Sequence, residues 1–380
     1  MRRAVGGYRL LLSTRGAAAF FAAAAVGRVG IAMTGLGLVW LVHARTGGYG
    51  LAGLAAGGFA FAEAMGGPWV ARLVDRFGQT RVLPACLVAH AGAIAGVLGA
   101  GTAGGHVVAA TCAGVVVPQL GALSGARWAH LLRGERADEL PTAFSLESLA
   151  NAGAFLLGPV LVTSLGAAGG SVPATATAAG LVVAGGGAMA AQRRTAPAIR
   201  TVHNGRSGRP LFRIAAANLA LGVYFGTVQV SVSSFATEQA AAAAPVVAAG
   251  SVSGLLAGWG YGLRRHRTPP ARQLVRAAAC LTGAALLLPL APSALWLAVA
   301  LVLTEAAVPP TLVLLNVLTE LSADPAALTQ ALTWNNSASA AGSAMAAWLA
   351  GQVADVGDAS AALALAPVAG LLVLAVIPRD

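Results

Sequence analysis

Gly67-Pro68-Trp69-Val70-Ala71-Arg72-Leu73-Val74-Asp75-Arg76-Phe77-Gly78-Gln79-Thr80-Arg81 is a charged break between two long apolar runs. Residues 48–71 before it and 82–101 after it are each long enough for a membrane-spanning helix, which takes about 20 mostly apolar residues. Three arginines and one aspartate crowd the ten residues between those runs. Such a segment reads as a tight connection between two spanning helices. Its excess of arginine places it on the cytoplasmic side.

Outward from this stretch the same alternation repeats. Twelve candidate spans can be read, at 17–43, 48–71, 82–101, 105–131, 141–167, 172–191, 212–236, 242–263, 273–290, 293–319, 327–353 and 358–377. Composition agrees. The chain of 380 residues is 57% hydrophobic and 10% charged, with a mean hydropathy of +0.75. A soluble domain of this size needs about a quarter charged residues to face water, so lipid must cover much of this one. The 49 glycines fit the same class, because small residues let membrane helices approach closely. The fold class expected is all-α integral membrane, with twelve transmembrane helices in two six-helix bundles. Arg2, Arg3, Arg9 and Arg15 followed by Ala17–Val26 mimic a secretory signal. The apolar region continues past Arg28 to Val42, long enough to be a retained first span.

There is no lysine; all 24 basic residues are arginine. With the N-terminus inside, 22 of the 24 fall in inside segments, Arg45 is the one outside, and Arg28 lies within a span. Both termini and the 192–211 stretch are then cytosolic. A missed or spurious helix would scramble this split. The pI near 11.2 does not point to nucleic acid, because the arginines sit in short clusters between apolar runs rather than on one soluble face. The Ala/Gly/Arg-rich, lysine-free usage fits a GC-rich bacterial genome, and hence a bacterial cytoplasmic membrane. Cys86, Cys112 and Cys280 have no metal or disulfide spacing and read as small buried hydrophobes.

The polar run 192–211 divides the chain into an N-terminal bundle, 1–191, and a C-terminal bundle, 212–380. A weak repeat at an offset of 188 relates Ala143-Phe144-Ser145-Leu146-Glu147-Ser148 to Ala331-Leu332-Thr333-Trp334-Asn335-Asn336, and sets Arg76 opposite Arg264. Two halves in the same orientation, related by an axis normal to the membrane, are a transporter architecture.

The opening stretch resembles the signature between the second and third helices of the major facilitator superfamily: a small residue, Gly67, spaced ahead of Asp75-Arg76-x-Gly78-x-x-Arg81. The resemblance implies a secondary transporter that works by alternating access, with this loop as a conformational switch. Gly78 would permit the tight turn. Asp75 would cap a helix N-terminus or pair with an arginine, in a contact shared with Arg76 and Arg81 that breaks when the halves rock. There are departures. The second-half copy, Gly260-Tyr261-Gly262-Leu263-Arg264-Arg265-His266-Arg267, lacks the acid. The helix-4 arginine of drug antiporters is absent from mid-span, where Thr111 and Gln119 stand, and Arg127 lies only at the cytosolic end. Of their helix-5 signature, Gly158-Pro159 is present and Gly153 is one residue displaced.

Four ionisable side chains fall inside spans: Arg28, Glu63, Glu147 and Glu305. Each costs roughly 2.5–3.5 kcal/mol on insertion scales, so each needs a cavity or a partner. One or more of the carboxylates could take up and release a proton and so couple proton flow to substrate exchange. Equally, Arg28 neutralised by Glu63 or Glu147 would simply pin helices together. Asn218, Gly222, Phe225, Gln229 and Ser233 share one face of the seventh span. Glu305, Leu312, Asn316 and Thr319 share one face of the tenth, with Pro309 between. The resemblance places both helices at the central cavity; interhelical packing is the competing reading. Asn335 and Asn336, with Trp334, are further candidates. Pro118, Pro159 and Pro309-Pro310 would kink their helices and free backbone carbonyls. No phosphate-binding loop and no catalytic triad or HExxH pattern is present, so neither an enzyme nor direct ATP drive is expected. The expectation is a proton-linked exporter of a small organic molecule, monomeric, with no cofactor. A nutrient importer of the same fold and a transport-inactive receptor or scaffold are the rivals.

Overall fold

A computed structural model of the chain describes residues 2–199, 208–238, 243–264, 268–356 and 359–377. Arg200 to Ser207 at the centre of the expected linker, Arg265 to Arg267 of the second basic loop and Pro378 to Asp380 lie outside the described residues. Within them the chain is all-helical. A short helix α1 (Arg2–Ser13) precedes α2 (Ala17–Thr46), α3 (Tyr49–Phe77), α4 (Gln79–Gly99), α5 (Ala103–Val115), α6 (Leu120–Leu131), α7 (Leu140–Gly169) and α8 (Ser171–Ala191). The second part holds α9 (Arg209–Glu238), α10 (Ala243–Gly262), α11 (Pro270–Ala285), α12 (Ala294–Ser322), α13 (Leu328–Val356), α14 (Ala359–Leu363) and α15 (Leu365–Val376).

Each expected span overlaps helix; two contain a break, α5 and α6 sharing the fourth and α14 and α15 the twelfth, and in the ninth the helix stops at Ala285, short of residue 290. Eight helical segments are long and apolar enough to cross a membrane: Ala17–Thr46, Gln79–Gly99, Ala103–Leu131, Ala137–Gly169, Ser171–Ala191, Arg209–Phe235, Ala294–Ser322 and Ala359–Val376. The segments in α3, α10, α11 and α13 fall short of that measure in length or apolarity. α11, for instance, has 16 residues. α3 carries Glu63 within its length, and α13 carries Asn335 and Asn336.

Of the prolines expected to kink their helices, only Pro118 interrupts one. α7 runs unbroken through Pro159, and α12 through Pro309 and Pro310. The expectation of buried cysteines also fails. Cys112 and Cys280 are exposed, and Cys86 is half-buried beside Pro118 and Gln119. A thiol is apolar enough to face lipid.

Helices α2–α8 pack mainly on one another, as do α9–α15. Between these two groups α3 runs along α13, and α7 along α10 and α12. Within the groups, glycine sets the approach. Gly222 and Gly226 of α9 lie against the backbone carbonyls of Ser339 and Ser343 on α13, and Gly342 of α13 lies against the Leu219 carbonyl. A Cβ at any of the three would strike backbone, which cannot turn aside. Gly222, expected to face a cavity, is therefore a packing residue.

Gly222→Val should cost roughly 1–3 kcal/mol by overpacking, read as a lower unfolding temperature of the detergent-purified protein. Gly92→Val, at an exposed site with open space around it, should leave that temperature unchanged.

Candidate functional site

The helices alternate in direction, so the loop at Gly78, the start of α7, the end of α10 and the start of α13 all lie at one end of the molecule. Among the described residues, every side-chain hydrogen bond between the two helix groups is at this end. The Oδ2 of Asp75 accepts the Gln330 backbone N–H at 2.9 Å, and Thr329 also donates to Asp75 from its side chain and backbone. Gln330 and Thr329 are in the first turn of α13, whose N–H groups have no partner within the helix and carry the positive end of its dipole. Asp75 thus caps a helix of the other group. Gly78 sits three residues later with φ 88°, and its N–H closes α3 on the Val74 carbonyl at 2.7 Å. Only glycine adopts that conformation without strain. Arg76 lies over the Phe77 ring at 5.1 Å and Arg81 is exposed. Neither forms a salt bridge to Asp75, so the contact belongs to Asp75 alone.

A second junction comes from a residue the sequence reading did not single out. The Tyr8 hydroxyl of α1 donates to the Trp259 carbonyl of α10 at 3.1 Å and lies 3.1 Å from Ser145 Oγ on α7. Ser145 in turn donates to the Gly258 carbonyl. Gly262 leaves room for both hydroxyls. Around these bonds one buried apolar cluster joins Leu11, Phe20, Trp128, Leu140 and Phe144 to Val313, Val317, Leu328 and Leu332 of the second group. No pattern of charge or spacing marks Tyr8, whose partners are one side-chain hydroxyl and one backbone carbonyl.

Arg28 and Glu147, each 6% exposed, form an ion pair. The Arg28 guanidinium also donates to the Glu147 carbonyl at 3.2 Å. Ser124 and Trp128 donate to the remaining carboxylate oxygen, Trp128 Nε1 at 2.8 Å. The partner of Arg28 is therefore Glu147 and not Glu63, and α2, α6 and α7 are pinned together. Arg127 is fully buried and donates only to neutral acceptors: Gln79 Oε1, Thr195 Oγ1 and the carbonyls of Met189 and Gln192, at 2.8–3.0 Å. Those carbonyls are the negative end of α8.

Glu63 is half-buried at the middle of α3, hydrogen-bonded to Gln119. The Gln119 side chain also lies against Gly67, which touches Thr333 of α13. Glu305 accepts the Tyr224 hydroxyl at 3.0 Å and faces Gly250 and Gly254 of α10. The other polar candidates are dispersed. Asn335 bonds Thr319 at 2.7 Å, tying α13 to α12. Asn218 donates to the Ile214 carbonyl of its own helix. Ser233 likewise donates to the Gln229 carbonyl. Gln229 and Asn336 are exposed, and Asn316 is half-buried.

Two helix groups joined at one end, with ionisable side chains buried between helices, are the layout of a polytopic membrane protein. The chain belongs to the Major Facilitator Superfamily, whose model matches residues 18–347. Solved structures share its fold at low identity. The human organic anion transporter MFSD10 (TETRAN) is 16% identical, with a TM-score of 0.77 and coverage of 96% of this chain and 99% of that one. A bacterial homologue of the iron transporter ferroportin, in an outward-facing state, is 10% identical at 0.80, covering 95% and 98%. The E. coli fucose:proton symporter FucP is 13% identical at 0.76, covering 96% and 98%. A search of curated protein sequences finds no match to this chain.

Breaking the buried pair from one side leaves an uncompensated charge, at a cost of roughly 3–5 kcal/mol. Arg28→Met should lower thermal stability accordingly, and adding Glu147→Met should restore part of the loss. A double variant as unstable as the sum of the two singles would show that the two charges do not act as a pair.

Proposed function

We propose that the chain is a secondary active transporter of a bacterial cytoplasmic membrane, exporting a small organic molecule by alternating access in exchange for protons. In this reading twelve spans form two pseudo-symmetric six-helix bundles, 1–191 and 212–380, joined by a cytosolic linker at 192–211, with both termini in the cytosol. Family membership and the arginine distribution support it. The observation that carries it is that, among the described residues, the side-chain hydrogen bonds between the two groups lie at a single end. Asp75 on α13, Tyr8 and Ser145 on α10 and the apolar cluster seal the end that bears the basic loops. A protein closed at its cytosolic end and held by a few breakable contacts is in the state from which alternating access proceeds.

The Asp75 latch has a pH dependence. Asp75 lies four residues past the apolar 48–71 run, and burial pushes its carboxyl up to about 6, against the lowering pull of the Thr329 and Gln330 hydrogen bonds. In an open gate it would return towards 3.8. The closed gate therefore holds the Asp75 proton more tightly. Closure is favoured most below the open-state value and loses that advantage as pH rises through about 6. Asp75→Asn keeps an acceptor and removes the charge, so it should hold the gate closed across this range and slow transport at equal expression. Spin-label distances between positions 81 and 321 should shorten on acidification in the parent protein and stay short in Asp75→Asn. Normal flux in the variant would remove the latch from the mechanism.

Glu305, with one neutral hydroxyl donor and two glycines beside it, is the proposed proton carrier. Glu305→Gln should retain counterflow in proteoliposomes and lose accumulation driven by an imposed proton gradient. Equal retention of both would remove Glu305 from coupling. Accumulation in the opposite direction would mean uptake, and specific binding without flux would mean a receptor.

A further inference from the structure

The fourth span is broken at its centre. α5 ends at Val115 and α6 begins at Leu120, while the whole segment runs from Ala103 to Leu131. Pro118 has no N–H to offer, and the Leu120 N–H turns to the Pro118 carbonyl at 2.8 Å. As a result the carbonyls of Val115, Val116 and Val117 accept no hydrogen bond from the described residues. Unwound backbone at membrane depth persists only where it is buried in protein or lines a watery cavity. A narrow, mostly apolar cleft adjoins the break, lined by Val70, Val74, Leu83, Cys86, Pro118 and Gln119 among others.

A carboxylate lies at the same depth. Glu63 is the middle residue of α3, hydrogen-bonded to Gln119 at the break. One turn on, Gly66 meets the Val115 carbonyl, and a side chain there would displace it. Glu63 has no ion-pair partner among the described residues, since Arg28 is held by Glu147. A carboxylate bonded to a carboxamide, with open carbonyls in the adjoining unwound turn, offers oxygen donors for a hard monovalent cation. Unwound helix segments serve this purpose in coupled transporters.

Resting on the coupled-transporter reading above, we propose that Glu63, Gln119 and the open carbonyls of Val115–Val117 form a binding site for a monovalent coupling cation. The site has a route to the gate. Gln119 lies against Gly67, Gly67 touches Thr333 of α13, and two turns further along α3 Asp75 caps the start of α13. A cation drawing Glu63 and Gln119 together would act on the helix pair that closes the molecule.

The test is binding to the full-length purified protein, read without any flux so that it stands apart from the transport assays. Tryptophan fluorescence is titrated with NaCl against choline chloride, and separately with pH at fixed choline. A saturable sodium response identifies Na⁺. A pH response without one, kept in an Asp75→Asn background, identifies the proton at the same carboxylate. Whichever response the parent shows should be lost in Glu63→Gln, weakened in Glu63→Asp and unchanged in Glu135→Gln, at an exposed loop position. A sodium response should weaken roughly tenfold in Gln119→Ala, the size of one lost polar contact to a charge. Glu63→Asp keeps the test open where Glu63→Gln fails to fold. A parent protein silent to both sodium and pH, or a Glu63→Gln protein that titrates like the parent, would overturn the site.

Discussion

One carboxylate reaching across to the start of a helix in the other half is the contact around which this molecule is arranged. Asp75 sits at the end of α3, and the N–H groups it receives belong to α13. Such a contact is directional, because the first-turn N–H groups of α13 point only along its axis. It holds when the two groups meet at this end and has no substitute when they part. The tight Gly78 turn fixes the end of α3 and the start of α4 together, so the position of Asp75 reports that of the whole first group.

The remaining buried polar groups are arranged so that such parting is possible. Arg28 and Glu147 neutralise each other within the first group. Arg127 is satisfied by α4 and α8 of the same group. Glu305 and Tyr224 meet within the second, as do Asn335 and Thr319. A charge pair straddling the interface would leave two unpaired ions in low dielectric at each opening, at a cost of several kcal/mol. Confining the hydrogen-bonded ion pairs to each group leaves the interface to neutral hydrogen bonds worth about 1 kcal/mol each, a capped helix end, apolar burial and the attraction between Arg133 and Glu320 at the same end. Opening exposes side chains such as Phe144, Leu328 and Leu332, each worth roughly 1.5–3 kcal/mol of burial. That is the scale of cost that closing the opposite end can offset.

The helices and the Asp75 cap were legible because their causes are local. Apolar length makes helices in lipid, and Asp75-Arg76-x-Gly78 announces a capped turn. Contacts set by three-dimensional approach were not legible. Tyr8 carries no charge and follows no repeat, and its partners, the Ser145 hydroxyl and the Trp259 carbonyl, are uncharged too. The stripe on α9 misled for the same reason. Polar and small residues at helical spacing look alike whether they face water or a neighbour, and Gly222 faces the Ser339 carbonyl. Arg28 had two carboxylates at plausible depth, and only the packing of α2 against α7 selected Glu147.

The prolines carry this distinction furthest. Pro159, Pro309 and Pro310 each remove a helical hydrogen bond, yet α7 and α12 continue through them. Pro118 does not differ from them in sequence chemistry. It differs in its surroundings. Gly114 and Gly66 let α3 and α5 approach backbone to backbone, and Gln119 of the next turn is drawn to Glu63 and Gly67 on α3. At Pro309 the helix continues although Glu305 lies one turn away, and that carboxylate is held by Tyr224 of another helix. At Pro118 the neighbouring carboxylate, Glu63, is bonded to Gln119 of the unwound turn itself, so the carboxylate and the break belong to one local structure.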